Sequence, residues 1–142
     1  MALIADSGAI YALYDADDRH HIAVAAAVAE DSGPVVVPVA TLAEIDYLLR
    51  EHLGVDAELQ FLEGILQGFY TLAPLLEADV ARCRELIAQY RDLELGLADA
   101  SVIAVAERLG IHRILTLDER DFRVVRPRKG PAFALLPADA HR

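Results

Sequence analysis

The stretch Leu3-Ile4-Ala5-Asp6-Ser7-Gly8 decides the fold class of this chain. Its three apolar residues have no polar alternation, which predicts a short strand buried on both faces, as in parallel sheets. Ser7 and Gly8 break the strand, and residues 9–14 that follow have a helical pattern. The chain is therefore expected to open with a strand that ends on the carboxylate of Asp6 and continues into a helix.

Further short apolar strands are predicted along the chain, and helices separate them. The clearest are residues 35–37 and 113–117, and weaker candidates are residues 70–72 and 133–135. Helices are predicted at residues 20–30, 41–53, 56–67, 77–90 and 97–109. Because strands alternate with helices, residues 1–142 are expected to form one α/β domain, a three-layer α/β/α fold with a central, mainly parallel sheet flanked by helices.

The composition is acidic, since the 142 residues carry a formal net charge of -10. Proteins that bind nucleic acids usually present a basic surface, so this charge argues against such a partner. A cluster of carboxylates that binds divalent cations reverses the sign of its surroundings, and a basic protein partner would also complement an acidic body. The charge alone therefore leaves the class of partner open.

Cysteine content and hydropathy indicate the compartment. Cys83 is the single cysteine, which excludes an internal disulfide and a cysteine metal cluster. The first residues lack the basic segment of a signal peptide, and no apolar run approaches the ~18 residues of a membrane span. We therefore expect a soluble, cytoplasmic protein with no membrane segment.

Two carboxylates follow predicted strands directly. Asp6 ends the first strand, and Asp118 comes just after the strand at residues 113–117. Ligands of open α/β sheets bind beyond the carboxyl ends of the strands, so both acids are candidates for one site. Each could equally cap the helix or turn that follows it.

Two more acids lie near predicted helix starts. Asp99 shares a helical stripe with Val102 and Ile103, which should face the core, although an acid in a first helical turn also complements the macrodipole. Glu44 lies three residues after Thr41, a spacing that fits a capping box. Both a functional and a structural interpretation are open for these two residues.

Taken together, the four acids predict a metal-dependent reaction. Crowded carboxylates raise one another's pKa values unless a cation lies among them. Mg²⁺ and Mn²⁺ prefer such oxygen ligands and can polarise a phosphate and activate water. We expect Asp6, Asp99 and Asp118 to bind the metal, with Glu44 as a fourth catalytic residue of phosphodiester hydrolysis.

Four segments resemble the acidic motifs of PIN domains, in order and over nearly the whole chain. They are Ile4-Ala5-Asp6-Ser7, Thr41-Leu42-Ala43-Glu44, Leu97-Ala98-Asp99-Ala100 and Ile114-Leu115-Thr116-Leu117-Asp118. The resemblance is strongest to the VapC group, the toxins of type II toxin–antitoxin pairs. It assigns supporting roles to Ser7, to Thr116 and to Asp121, the last as a second candidate beside Asp118.

This resemblance implies a PIN-like fold and an endoribonuclease that uses Mg²⁺ or Mn²⁺. It implies cleavage of structured RNA, such as tRNA or a ribosomal RNA loop, by a homodimer that a cognate antitoxin inhibits. The basic residues that follow Asp118 are candidates for contacts to RNA phosphates, namely Arg123, Arg126 and Arg128.

Other functions remain open from the sequence. A haloacid-dehalogenase-type phosphatase would also place an Asp at a strand end, but it usually needs a second Asp two residues later, where this chain has Gly8. A response-regulator receiver would need paired acids near the first strand, and Asp6 has no acidic neighbour. A binding module that keeps the PIN-like fold without catalysis is the remaining alternative.

Overall fold

The computed structural model describes residues 2–140 and is built on a parallel sheet of five strands. The strands are β1 (Leu3–Ala5), β2 (Val35–Pro38), β3 (Tyr70–Ala73), β4 (Arg113–Leu115) and β5 (Ala134–Leu136). Their order is β3-β2-β1-β4-β5, and every pair is parallel. The predicted α/β class and central sheet are therefore confirmed.

Helices connect the strands and cover both faces of the sheet. They are α1 (Ser7–Tyr14), α2 (His21–Glu30), α3 (Val39–Leu53), α4 (Val55–Leu66), α5 (Glu77–Gln89), α6 (Leu97–Leu109) and α7 (Glu119–Val124), with a 3-10 turn at Arg91–Leu93. Across the described residues, none of these helices combines the length and apolarity that crossing a membrane requires.

Alternate strand residues pack into two separate cores. Leu3 and Ala5 face one core with α1 to α4, whereas Ile4 faces the other with α5 and α6. Successive side chains of a strand point to opposite faces, so each three-residue strand serves both cores. This arrangement produces the three layers that the sequence predicts.

The start of α3 corrects one sequence-based interpretation. The helix begins at Val39, with Pro38 as its N-cap, so Thr41 lies inside the first turn. The hydroxyl of Thr41 donates to the carbonyl of Pro38 at 2.8 Å. The predicted capping box of Thr41 and Glu44 is therefore wrong, because the proline already supplies an extended backbone at the helix entry.

The segment after β4 also differs from its prediction as an acid-rich turn. It forms α7, and Asp118 is the N-cap of this helix. Likewise, α1 begins at Ser7 rather than at residue 9, because the side chain of Asp6 caps it. The carboxylates that follow β1 and β4 therefore each start the next helix.

A buried ion pair fastens α5 to α6. Asp79, which is 3% exposed, accepts the backbone N–H of Leu76 at 2.9 Å and the Nε of Arg108 at 3.1 Å. Arg108 also donates to the carbonyl of Pro74 at 2.7 Å. The first turn of α5 is thus tied to the last turn of α6, which fixes how α6 lies against the sheet.

Asp79→Ala is expected to lower the free energy of unfolding by about 3 kcal/mol, because it leaves Arg108 without its buried partner and removes the helix cap. Urea unfolding followed by circular dichroism measures this loss. The control is Glu77→Ala, an exposed acid in the same helical turn, which should cost less than about 0.5 kcal/mol. Equal effects of the two substitutions would contradict the assignment.

Candidate active site

The site lies where the strand order reverses. β1 is flanked by β2 on one side and by β4 on the other, so the two halves of the sheet diverge between β1 and β4. Ile4 pairs with Ile114 and Ala5 with Leu115, and the N–H of Asp6 donates to the carbonyl of Leu115 at 3.0 Å. Ligands of open parallel sheets bind at such a switch point, beyond the carboxyl ends of the strands.

Thr116 links the two strand-end carboxylates. Its hydroxyl donates to Oδ2 of Asp6 at 2.5 Å and accepts the backbone N–H of Asp118 at 3.0 Å. Oδ1 of Asp6 accepts the N–H of Ala9 at 3.1 Å, so this residue is also the helix cap that the alternative interpretation proposed. Each carboxylate oxygen has a second lone pair, so capping leaves acceptor capacity for a ligand.

The remaining acids come from helix starts and from α7. Asp99 is half-buried in the first turn of α6, which begins at the carboxyl edge because a helix leading into a parallel strand runs against it. Asp121 donates its N–H to Asp118 at 3.2 Å. Glu44 is exposed on α3, and the hydroxyl of Ser7 donates to its carboxylate. The predicted catalytic and supporting residues therefore lie at one edge of the sheet.

The electrostatics of these acids agree with their proximity. The pKa of Asp6 is raised from its ordinary 3.8 to about 6, mainly by burial. The hydrogen bonds from Thr116 and Ala9 oppose this rise, and the charges of Asp99 and Asp118 add to it. Burial also raises the pKa of Asp99, with added contributions from Asp118, Glu44 and Asp121. These carboxylates repel one another, and a bound cation would relieve the repulsion.

The residues fit a divalent metal by their chemistry. Every candidate ligand is a carboxylate, and hard cations such as Mg²⁺ and Mn²⁺ take oxygen ligands. Among residues 2–140, no group of three or more His, Cys, Asp or Glu side chains is already arranged to hold a metal ion. The acids are thus close enough to perturb each other without forming a complete coordination sphere.

The three arginines predicted to contact RNA do not form one patch. Arg123 donates to Asp139 at 2.6 and 2.7 Å and to Glu119 at 3.2 Å. Arg128 is paired with Glu85. It lines a different cavity with Gly110 and His112, which precede β4 and so lie at the opposite edge of the sheet.

Sequence reasoning missed three contacts at this edge. It gave no reason to pair Ser7 with Glu44, or Arg123 with Asp139 and Glu119. The only available signal was the supporting role that the resemblance gave to Ser7. Arg126 is exposed, and no carboxylate in the described part of the chain forms an ion pair with it.

Comparisons with known proteins agree with this architecture. A profile of the PIN domain family matches residues 3–126. Ribonuclease VapC26 of Mycobacterium tuberculosis is 35% identical over 135 residues, which is 95% of this chain and 100% of that protein.

Solved structures of lower identity share the fold. VapC20 of Mycobacterium tuberculosis, a sarcin–ricin loop cleaving toxin, has a TM-score of 0.76 and 20% identity over 83% of this chain and 91% of its own. VapBC2 from Rickettsia felis, bound to a promoter DNA fragment, has a TM-score of 0.68 and 12% identity, and the match covers 95% of this chain and 97% of its own. FitAcB from Neisseria gonorrhoeae has a TM-score of 0.64 and 18% identity, and the match covers 85% of this chain and 91% of its own.

The raised pKa of Asp6 predicts how the stability of the metal-free protein depends on pH. Between the ordinary pKa of 3.8 and about 6, the folded chain binds more protons than the unfolded chain. The free energy of unfolding therefore falls as pH rises through this window, by roughly 3 kcal/mol from this residue. Asp6→Asn cannot ionise there and should lack this loss.

Urea unfolding in chelator from about pH 4 to about pH 7 tests this expectation. The difference in stability between Asp6→Asn and the wild type should grow with pH in favour of the variant. The exposed Asp17→Asn is the control and should follow the wild type throughout. A difference for Asp6→Asn that stays constant over the range would refute the burial argument.

Proposed function

Because the chain belongs to the PIN domain family, we propose that it is a divalent-metal-dependent endoribonuclease, the toxin of a toxin–antitoxin pair. The observation that carries the proposal is the convergence of Asp6, Glu44, Asp99 and Asp118 at the switch point of the sheet. Four carboxylates held close together at one edge of the sheet are costly for folding alone, whereas they suit a site for a cation and a phosphate.

In this mechanism Asp6, Asp99 and Asp118 would hold Mg²⁺ or Mn²⁺. When bound, such a metal would supply Lewis-acid chemistry to the scissile phosphate and would help to activate the attacking water. Thr116 fixes the orientation of Asp6 by its hydrogen bond and that of Asp118 through its backbone N–H. Loss of such a supporting hydrogen bond typically lowers metal affinity by about 10- to 100-fold.

Glu44 acts as the proton acceptor. It is the exposed member of the set, and the hydroxyl of Ser7 orients it. The attacking water passes one proton to this carboxylate while its oxygen forms a bond to phosphorus. The bond from phosphorus to one ribose oxygen breaks, and that oxygen takes a proton from solvent water as it leaves. Asp121, whose pKa is raised by burial and by the charge of Asp118, supports the metal site from α7.

The substrate in this proposal is structured RNA, such as tRNA or a ribosomal RNA loop. The fold shared with a sarcin–ricin loop cleaving toxin supports this choice. Contacts of Arg123, Arg126 and Arg128 to RNA phosphates stay a prediction, and Arg126 is the member whose charge is not paired within the described chain.

A homodimer and a cognate antitoxin complete the proposal. An apolar stripe on α4 supports the burial of further surface, because its side chains are exposed at spacings of four, three and four residues. These are Val55, Leu59, Leu62 and Leu66, with exposures of 48%, 55%, 37% and 80%. Exposed apolar patches of this kind mark contact surfaces in soluble proteins.

Asp99→Asn is expected to lower RNA cleavage by at least about 100-fold, because a metal ligand is lost from the cluster. The fold should remain, since the side chain is only half-buried and asparagine has nearly the same shape. Cleavage of a labelled tRNA pool measures the activity. Asp92→Asn, an exposed acid outside the cluster, is the control. Undiminished cleavage by a folded Asp99→Asn protein would rule out this role.

Activity should require Mg²⁺ or Mn²⁺ and vanish in excess chelator. Mn²⁺ at about 100 times its dissociation constant should also raise the free energy of unfolding by about 2.7 kcal/mol, since the ion binds only the folded chain. The Asp6→Asn variant should gain much less from Mn²⁺. Full cleavage in excess chelator, or equal stabilisation of both proteins, would exclude the metal mechanism.

A further inference from the structure

A second, smaller cavity opens beside the carboxylate site. Its volume is about 270 Å³, and its lining includes His20, Thr116, Leu117, Glu119 and Pro137. Thr116 is shared between the two features, because its hydroxyl donates to Asp6 while the residue also lines this cavity. One side chain therefore separates the cavity from the proposed reaction centre.

The walls combine flat apolar surface with few polar groups. Leu117, Pro137 and Ala138 supply the apolar part, and the imidazole of His20 supplies an aromatic face. Arg19 donates to Nε2 of His20 at 3.1 Å, so this ring nitrogen accepts a hydrogen bond. The volume lies just below the ~300 Å³ at which sites for larger ligands begin, which suits one planar ring system.

Glu119, the one charged group among the described residues of the cavity wall, is held in place by a chain of ion pairs. Nη2 of Arg123 donates to Oε1 of Glu119 at 3.2 Å, and the same guanidinium is bound by both oxygens of Asp139. No described residue donates to Oε2 of Glu119. Arg123 therefore acts as a positioning residue that presents a carboxylate with spare acceptor capacity.

We propose that this cavity is a subsite for one nucleobase of the RNA next to the cleaved bond, and that it selects guanine. The proposal rests on the proposed ribonuclease function. Single-stranded RNA is recognised when a splayed base stacks on an aromatic ring and its Watson–Crick edge is hydrogen-bonded. Here the ring is that of His20, and the acceptor for the edge is Glu119.

Guanine is selected because a carboxylate only accepts hydrogen bonds. Guanine presents N1–H and the N2 amino group side by side, so it can give two parallel bonds to Glu119. Cytosine and adenine offer one amino group beside an acceptor nitrogen. Uracil offers a single N–H between two carbonyl oxygens, which repel the carboxylate. The expected order therefore places guanine first and uracil last.

Nucleotide binding to the metal-free full chain tests the subsite without relying on catalysis. GMP, AMP, CMP and UMP are titrated and followed by NMR, with the His20 ring signals as the local probe. GMP should bind about tenfold more tightly than UMP, as expected for hydrogen bonds to a charged group. His20→Ala should weaken all four by about five- to tenfold through lost stacking.

Glu119→Gln should reduce the ratio of GMP to UMP affinity to less than about twofold, since the amide accepts only one such bond. Glu51→Gln and His52→Ala, both exposed on α3, are the matched controls and should change nothing. Ala138→Phe fills the cavity from an exposed position and should abolish selective binding even if His20→Ala disturbs α2. Equal affinity for GMP and UMP, or a preference that survives both Glu119→Gln and Ala138→Phe, overturns the subsite.

Cleavage assays separate this proposal from the proposed function. Oligonucleotides that differ only in one base beside the cut should show a preference for guanine, and His20→Ala should raise KM more than it lowers kcat. Cleavage with no base preference overturns the subsite and leaves the nuclease intact. Selective GMP binding by a protein that cuts no RNA would support the subsite and contradict the proposed ribonuclease function.

Discussion

The pairing of β1 with β4 is the constraint on which the carboxylate site depends. Only four residue positions take part, with Ile4 opposite Ile114 and Ala5 opposite Leu115. A slip of one residue would turn each side chain to the other face, and both cores would then lose their apolar contacts. Because both faces of the sheet are buried, each of the two cores independently specifies the register of this pairing. Asp6 and Thr116, more than a hundred residues apart in the chain, are therefore held within hydrogen-bonding distance.

This rigidity explains how repelling carboxylates persist in one place. Burial and mutual charge raise the pKa values of Asp6 and Asp99, which means that the ionised site is unfavourable for the folded state. The sheet and the helix caps of Asp6 and Asp118 hold the groups there nonetheless. A cation that binds only the folded chain would recover that free energy, so metal binding would be coupled to the stability of this fold.

The sequence predicted those parts of the site that local pattern determines. Short apolar runs bounded by breakers gave the strands, and the acids that follow them fell at the carboxyl edge, as the topology of parallel sheets requires. The capping box of Thr41 failed because Pro38 is the N-cap and α3 begins at Val39, two residues before the predicted start at Thr41. The pairs of Asp79 with Arg108 and of Arg123 with Asp139 could not be predicted, because they depend on how elements far apart in sequence pack.

The ion pairs of the arginines bear on how an acidic chain could attract RNA and how it could select a base. Six of the eleven arginines in residues 2–140 are paired with carboxylates of the same chain, namely Arg50, Arg82, Arg108, Arg113, Arg123 and Arg128. A chain of net charge -10 that commits its cations in this way has little capacity to neutralise phosphates. Attraction to RNA would then rest on the bound metal, which reverses the local sign. Selectivity would rest on contacts that need no net positive charge, such as the stacking of a base and hydrogen bonds to its edge. A net negative charge is therefore physically compatible with a nuclease.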